Sequence, residues 1–163
     1  PVQLVLFEDL RCRNCRAFTQ RISPKIEERY LHSGKVSYTI VPVAFLSGSK
    51  PLANAALEIY AQAPDRFLSY LQALAAHPDH DPLELATHLG GIDLERFSSC
   101  MKRGCHYAQI DKNLKWAEEW MGDDFGTPTL YVNGVAVSTS SFESVERVIE
   151  RALKQGALKQ GSP

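Results

Sequence analysis

Cysteine is scarce in this chain, with four in 163 residues. That is too few for a small domain held together by disulfides. An excess of either charge is also missing. Eighteen Lys and Arg stand against nineteen Asp and Glu, for a formal net charge of −1. The sequence pI is about 6.6. This balance gives no reason to expect nucleic acid or an anionic membrane as partner. No apolar run approaches the roughly 18 residues needed to span a bilayer. There is no glycine-rich phosphate loop and no setting for a nucleophilic serine, which removes two common enzyme readings. The chain starts at Pro1 rather than Met and shows no secretory leader, so targeting does not reveal the compartment.

What is present fits one α/β domain, or one domain with an insertion. Hydrophobic content is 44%, ordinary for a globular protein, and the length supports a sizeable core. The apolar run Val2-Gln3-Leu4-Val5-Leu6-Phe7 reads as a buried strand. It leads into Cys12-Arg13-Asn14-Cys15, and Arg16 to Ile22 continues as a helix. Two thiols three residues apart share one face of a first helical turn. The first lies where unpaired N–H groups and the helix dipole favour negative charge. Such a sulfur is a nucleophile, and its neighbour can close a disulfide with it. Strand, C-x-x-C, helix is a thioredoxin-like redox arrangement. Four cysteines allow three pairings, of which proximity favours Cys12 with Cys15 and Cys100 with Cys105.

Periodicity predicts a first strand over about 2–8 and a helix over about 13–32, kinked near Ser23 by Pro24 and capped by Gly34. A β-rich stretch from Lys35 to Phe45 predicts a second strand, parallel to the first through a right-handed crossover. From about 49 to 121 only helical signals occur, with Asp65, Asp81 and Asp93 as helix starts and Gly90, Gly104 and Gly122 as stops. Thr129–Val132, the turn Asn133-Gly134 and Val135–Ser138 predict a hairpin. Ser140-Ser141-Phe142-Glu143 predicts a capping box for a last helix over about 141–155. The duplicated pentapeptide that ends at Gly161 predicts a frayed or disordered tail.

Several residues carry alternatives. Pro128, in Gly126-Thr127-Pro128-Thr129, cannot donate to a β-ladder. A trans bond would make an ordinary turn, whereas a cis bond would leave nearby backbone free to pair with a guest peptide. If Gly104 follows a helix end, the turn brings Cys100 and Cys105 together. A structural disulfide, free thiols, and a redox or metal role all remain readings of that pair. The stretch His77-Pro78-Asp79-His80-Asp81 reads as a solvated turn, because no distant third ligand is evident. His106 reads as a surface residue, and Trp116 and Trp120, one turn apart, as packing residues.

The motifs Phe7-Glu8-Asp9-Leu10-Arg11-Cys12-Arg13-Asn14-Cys15, Phe97-Ser98-Ser99-Cys100 and Gly126-Thr127-Pro128-Thr129-Leu130-Tyr131-Val132-Asn133-Gly134 resemble the bacterial DsbA-like family, extracytoplasmic thiol–disulfide oxidoreductases of thioredoxin fold. The resemblance implies a thioredoxin-fold first half over 1–46 and an inserted helical subdomain over 47–121. The second half follows over 122–155, with a flexible tail at 156–163. It implies Cys12 as nucleophile, Cys15 as its resolving partner, Pro128 as the family's cis-proline and Thr127 as a substrate-pairing residue. Arg13 and Asn14 replace the Pro-His of the best-known oxidases, so they tune the active site. Arg13 is placed to favour negative charge on the Cys12 sulfur, while Glu8 and Asp9 would oppose it if near. Leu6 stands where some members bury an acid that assists proton transfer.

The expected activity is disulfide introduction into unfolded or partly folded cysteine-containing proteins, with reduction or isomerisation by the same C-x-x-C as the alternative. A reading of another class is a non-catalytic module that holds zinc through its four cysteines, or binds client chains. The leading reading implies no cofactor and no metal. It implies a periplasmic or other extracytoplasmic location with a removed signal peptide, a monomer, and a quinone-linked membrane redox partner.

Overall fold

The computed structural model describes residues 1–160. Its central element is β1 (Val2–Asp9), flanked by β2 (Val36–Val43) in parallel and β3 (Thr129–Val132) in antiparallel; β4 (Val135–Val137) completes a mixed sheet of order β2-β1-β3-β4. A strand paired on both edges and covered on both faces must be apolar along most of its length, as Val2 to Phe7 is. Leu4 and Leu6 point to one face, where they pack with Phe18 of α1 (Arg13–Arg21), Ile26 of α2 (Ser23–Tyr30), and Val145 and Ile149 of α8 (Phe142–Gln160). Phe7 points to the other face, against Val41, Tyr131, and Ala117 and Met121 of α7 (Tyr107–Met121). Each of the buried Leu, Ile, Val, Phe and Met side chains contributes about 1.5–3 kcal/mol by leaving water.

Between β2 and α7 lie α3 (Ser49–Gln62), α4 (Phe67–Ala76), α5 (Pro82–Leu89) and α6 (Leu94–Arg103). They enclose their own core around Ile59, Tyr70, Leu71 and Phe97, into which Leu10 of the β1–α1 turn inserts. Trp116 and Trp120 pack edge to face, and both meet the Phe7 ring, in keeping with their expected packing role. No helix among the described residues is long and apolar enough to cross a membrane.

The expected architecture holds, with local corrections. The helix expected over 13–32 is two helices broken at Ile22, with Pro24 in the first turn of the second. Proline lacks the N–H and crowds the preceding turn. Gly34 ends the segment at φ 69°. The second strand stops at Val43, short of Phe45. Asp65 does not cap α4; it lies in a 3-10 turn over Pro64–Arg66 and pairs with Arg66 at 3.7 Å. Ser141, not Ser140, caps α8 by accepting the Ser144 N–H at 3.2 Å. The last helix does not end at 155 but continues through Gly156 to Gln160. Ala157, Leu158 and Lys159 are strong helix formers that outweigh one glycine. The tail expected to be flexible over 156–163 is therefore helical to 160, and its last three residues lie outside the described ones. Asn133 (φ 48°) and Gly134 (φ 82°) both have positive φ, as a type I′ hairpin turn requires.

Gly104 ends α6 at φ 60°, and the Cys105 N–H donates to the Cys100 carbonyl at 3.3 Å. A methyl group on Gly104 would meet the Tyr107 ring at 2.7 Å. Gly104→Ala therefore combines left-handed backbone strain with a clash and should lower the unfolding free energy by about 2 kcal/mol or more. Urea denaturation checks this; a loss below about 0.5 kcal/mol would contradict it.

Candidate active site

At the end of β1 the chain turns sharply into α1, and Asp9 organises the turn. Its carbonyl accepts the Cys12 N–H at 2.9 Å. One carboxylate oxygen accepts the Arg11 N–H at 2.9 Å, and the other accepts the N–H groups of Phe45 and Leu46 at 3.0 and 3.1 Å. The loop after β2 is thus tied to the turn that delivers the C-x-x-C motif.

Cys12 is the N-cap of α1, in extended conformation. Its sulfur accepts the Cys15 N–H at 3.4 Å, and its S–H points to the Thr127 carbonyl at 3.5 Å. The Thr127–Pro128 peptide bond is cis, as the resemblance implied. Both cysteines are free thiols; Cys12 is half-buried and Cys15 buried. Burial pushes the Cys15 thiol well above its usual range. The Cys12 contact and the Glu8 charge push the same way, while the Thr127 side chain and an Asp9 backbone contact oppose them. Arg13 and Asn14 are exposed.

A groove of about 780 Å³ is lined by Asn14, Phe18, Arg21, Thr127, Pro128 and Phe142, with Val137 of edge strand β4 on its border; Thr127, whose carbonyl the Cys12 sulfur meets, links the two. Another depression, of about 690 Å³, lies near Pro1, Gly34 and Asn133 and shares neither Asn14 of the C-x-x-C motif nor Thr127 and Pro128.

Leu6 is buried and apolar where some DsbA-like members were expected to bury an acid, but this chain buries an acid two residues further along, at Glu8. Strand alternation puts Leu4, Leu6 and Glu8 on one face, and that periodicity was the available signal. Glu8 is 1% exposed. Oε2 accepts from the Thr19 hydroxyl at 3.1 Å, and Oε1 has no partner. Burial is the main cause that lifts its pKa to about 7; the Thr19 hydrogen bond opposes this and the neighbouring Asp9 adds to it. Glu8, Cys15 and Thr19 border one small void closed on its far side by Leu71, Leu74 and Ala75. The helices between β2 and α7 thus keep water away from Cys15.

The second cysteine pair is bonded, Cys100 to Cys105, with Cα atoms 5.0 Å apart. His106 is a correction to the sequence reading: its Nε2 lies 2.8 Å from Oε2 of buried Glu58. No local pattern joins positions 48 residues apart. Among the described residues, the group of side chains able to hold a metal contains Cys100 and Cys105 but neither Cys12 nor Cys15, so the four cysteines do not form one zinc site.

A family model described as Thioredoxin matches residues 1–151, and the chain belongs to that family. Its kinship within the family is DsbA-like. Crystal structures of Chlamydia trachomatis DsbA and of oxidised BdbD from Bacillus subtilis each superpose with a TM-score of 0.83. The first is 26% identical and covers 96% of this chain and 87% of its own. The second is 27% identical and covers 94% and 88%. Disulfide bond formation protein D of Bacillus subtilis is 28% identical over 94% of this chain and 73% of its own length.

Glu8 has a measurable consequence. Unfolded, it titrates near 4.5; folded, near 7. Between those values the folded state holds the proton more tightly, so stability falls as pH rises through that window and is level above it. The loss should be about 3 kcal/mol. Chemical denaturation of wild type and Glu8→Gln across pH 4.5–8 checks this; the variant should lack this component, and identical pH dependence would refute it.

Proposed function

We propose that this chain oxidises paired thiols of unfolded or partly folded proteins by dithiol–disulfide exchange, outside the cytoplasm, with Cys12 and Cys15 as the reactive pair. The carrying observation is the Cys12 sulfur at the head of α1, held between the Cys15 N–H and the carbonyl of Thr127, a residue that lines the groove. In the oxidised chain a substrate thiolate attacks the Cys12 sulfur, and the Cys12–Cys15 bond breaks. Cys15 leaves as a thiolate that burial disfavours, so it takes a proton. Glu8, protonated below about 7, is the buried acid that supplies it. A second substrate thiolate then attacks the substrate sulfur of the mixed disulfide. The product disulfide departs and Cys12 is released as the leaving thiolate, its sulfur again accepting the Cys15 N–H.

Thr127 and Pro128 border the groove that accepts an extended substrate segment, and Arg13 and Asn14 tune the reactivity of Cys12. The cycle closes when a quinone-linked membrane protein reoxidises the pair. The chain acts as a monomer, and the Cys100–Cys105 bond is structural in this cycle.

Equilibration in glutathione buffers, with acid quench, alkylation and mass readout of each pair, tests the direction. A Cys12–Cys15 potential above about −180 mV supports oxidation, and one near about −270 mV would make the chain a reductant and overturn the reading. Cys12→Ser should reduce exchange to the uncatalysed rate; retained turnover would remove Cys12 from the mechanism.

A further inference from the structure

The side chains of Glu58, Cys100, Cys105 and His106 converge from α3, the end of α6 and the turn into α7. One ligand atom from each lies within 4.8 Å of all the others. Their surroundings are organised beyond what a disulfide needs. Glu58 is 2% exposed. Its Oε1 accepts from Arg96 Nε at 2.8 Å and Gln62 Nε2 at 2.9 Å. Its Oε2 faces His106 Nε2 at 2.8 Å and the Cys105 sulfur at 3.8 Å. Fully buried Asn54 donates to the Cys100 carbonyl at 3.3 Å and to its sulfur at 3.6 Å, and its Oδ1 accepts the His106 N–H at 2.8 Å. A disulfide across a helix end is satisfied by its own covalent bond. It gives no reason to bury a carboxylate and aim it, with an imidazole, at the sulfurs.

The geometry points to a redox-gated metal site: once the Cys100–Cys105 disulfide is reduced, both sulfurs, His106 Nε2 and Glu58 Oε2 bind one thiophilic divalent cation of the zinc class. The reductant is a dithiol. It gives two electrons and two protons, becomes a disulfide itself, and leaves two thiols where the Cys100–Cys105 bond was. Each thiol loses its proton to solvent as its sulfur ligates the cation. His106 ligates through Nε2 with its remaining proton on Nδ1.

Two sulfurs, one nitrogen and one oxygen match the donor preference and tetrahedral geometry of zinc rather than magnesium or calcium. Bond lengths of about 2.0–2.3 Å require ligand atoms roughly 3.3–3.8 Å apart, so the shell forms when the disulfide opens, the His106–Glu58 pair, now 2.8 Å apart, separates slightly to admit the cation, and the more distant ligand atoms, within 4.8 Å, draw in. Two thiolates and a carboxylate exceed a dication by one negative charge. Arg96 on the non-ligating Oε1 offsets that excess, and Asn54 and Gln62 orient the ligands as outer-shell partners. A bound cation would hold both sulfurs as thiolates and keep this pair out of exchange.

The test uses the full chain carrying Cys12→Ser and Cys15→Ser, so that only the second pair is present. It is reduced anaerobically with a phosphine, freed of reductant, and titrated with Co²⁺. The expected result is one cobalt per chain, with sulfur-to-cobalt charge transfer and the intense visible bands of a tetrahedral ion. Zn²⁺ should bleach both, and the oxidised chain should show neither. Chelator competition should find Zn²⁺ bound about tenfold or more weakly by Glu58→Gln and by His106→Ala. Absence of tetrahedral bands in the reduced chain would overturn the proposal, as would affinity unchanged in the variants. If the buried Glu58 variant fails to fold by circular dichroism, half-buried His106 carries the decision alone.

Discussion

The Asp9 carboxylate is the constraint on which the reactive end of this molecule depends. It is buried without a cationic partner, and three backbone N–H groups satisfy it, one from the β1–α1 turn and two from the loop after β2. An ionised acceptor of this kind holds its donors more strongly than a neutral one. The turn cannot relax without stranding buried polar groups. The Cys12 N–H is pinned to the Asp9 carbonyl, so the first sulfur is placed by backbone geometry. Leu10, in the same turn, inserts into the core of the helical segment. One tight turn thereby joins the sheet, the reactive helix and the intervening helices.

Those helices act on the chemistry by exclusion. Leu71, Leu74 and Ala75 close the space behind Cys15 and Glu8, and burial is the largest cause of the upward shift in both groups. A buried thiol and a buried carboxyl side by side resist ionising together, since each charge would disfavour the other. A proton is therefore retained between them near neutral pH. Cys12 differs because it is partly exposed and sits among the unpaired N–H groups of a helix start. The asymmetry between the two sulfurs comes from which end of the first turn faces the helical cover.

The two cysteine pairs use helix ends in opposite ways. Cys12 and Cys15 stand at a helix start, where the Cys12 sulfur caps the first turn by accepting the Cys15 N–H and both thiols are free. Cys100 and Cys105 bracket a helix stop at Gly104, where the left-handed residue folds the chain back and brings the sulfurs into bonding range. The net charge of the chain is near zero, so these differences are local fields and not the field of the whole molecule.

Local patterns in the sequence determined much of this protein. The apolar run of β1, the C-x-x-C at its end, the Asn133-Gly134 turn, the Pro24 break and the glycine stops each act through backbone preferences or short-range periodicity, which a linear reading captures. Element ends were less legible. Ser141 took the cap from Ser140, and α8 ran past Gly156, because neighbouring residues compete on margins of a few tenths of a kcal/mol to about 1 kcal/mol. Tertiary structure alone decided which polar residues were buried and what they met. Glu8 became the acid beside Cys15 because α1 and α4 close over that end of the strand. His106 met Glu58 because α3 and the turn into α7 pack together. Desolvation and long-range contact set those properties, and neither leaves a signature in the spacing of residues along the chain.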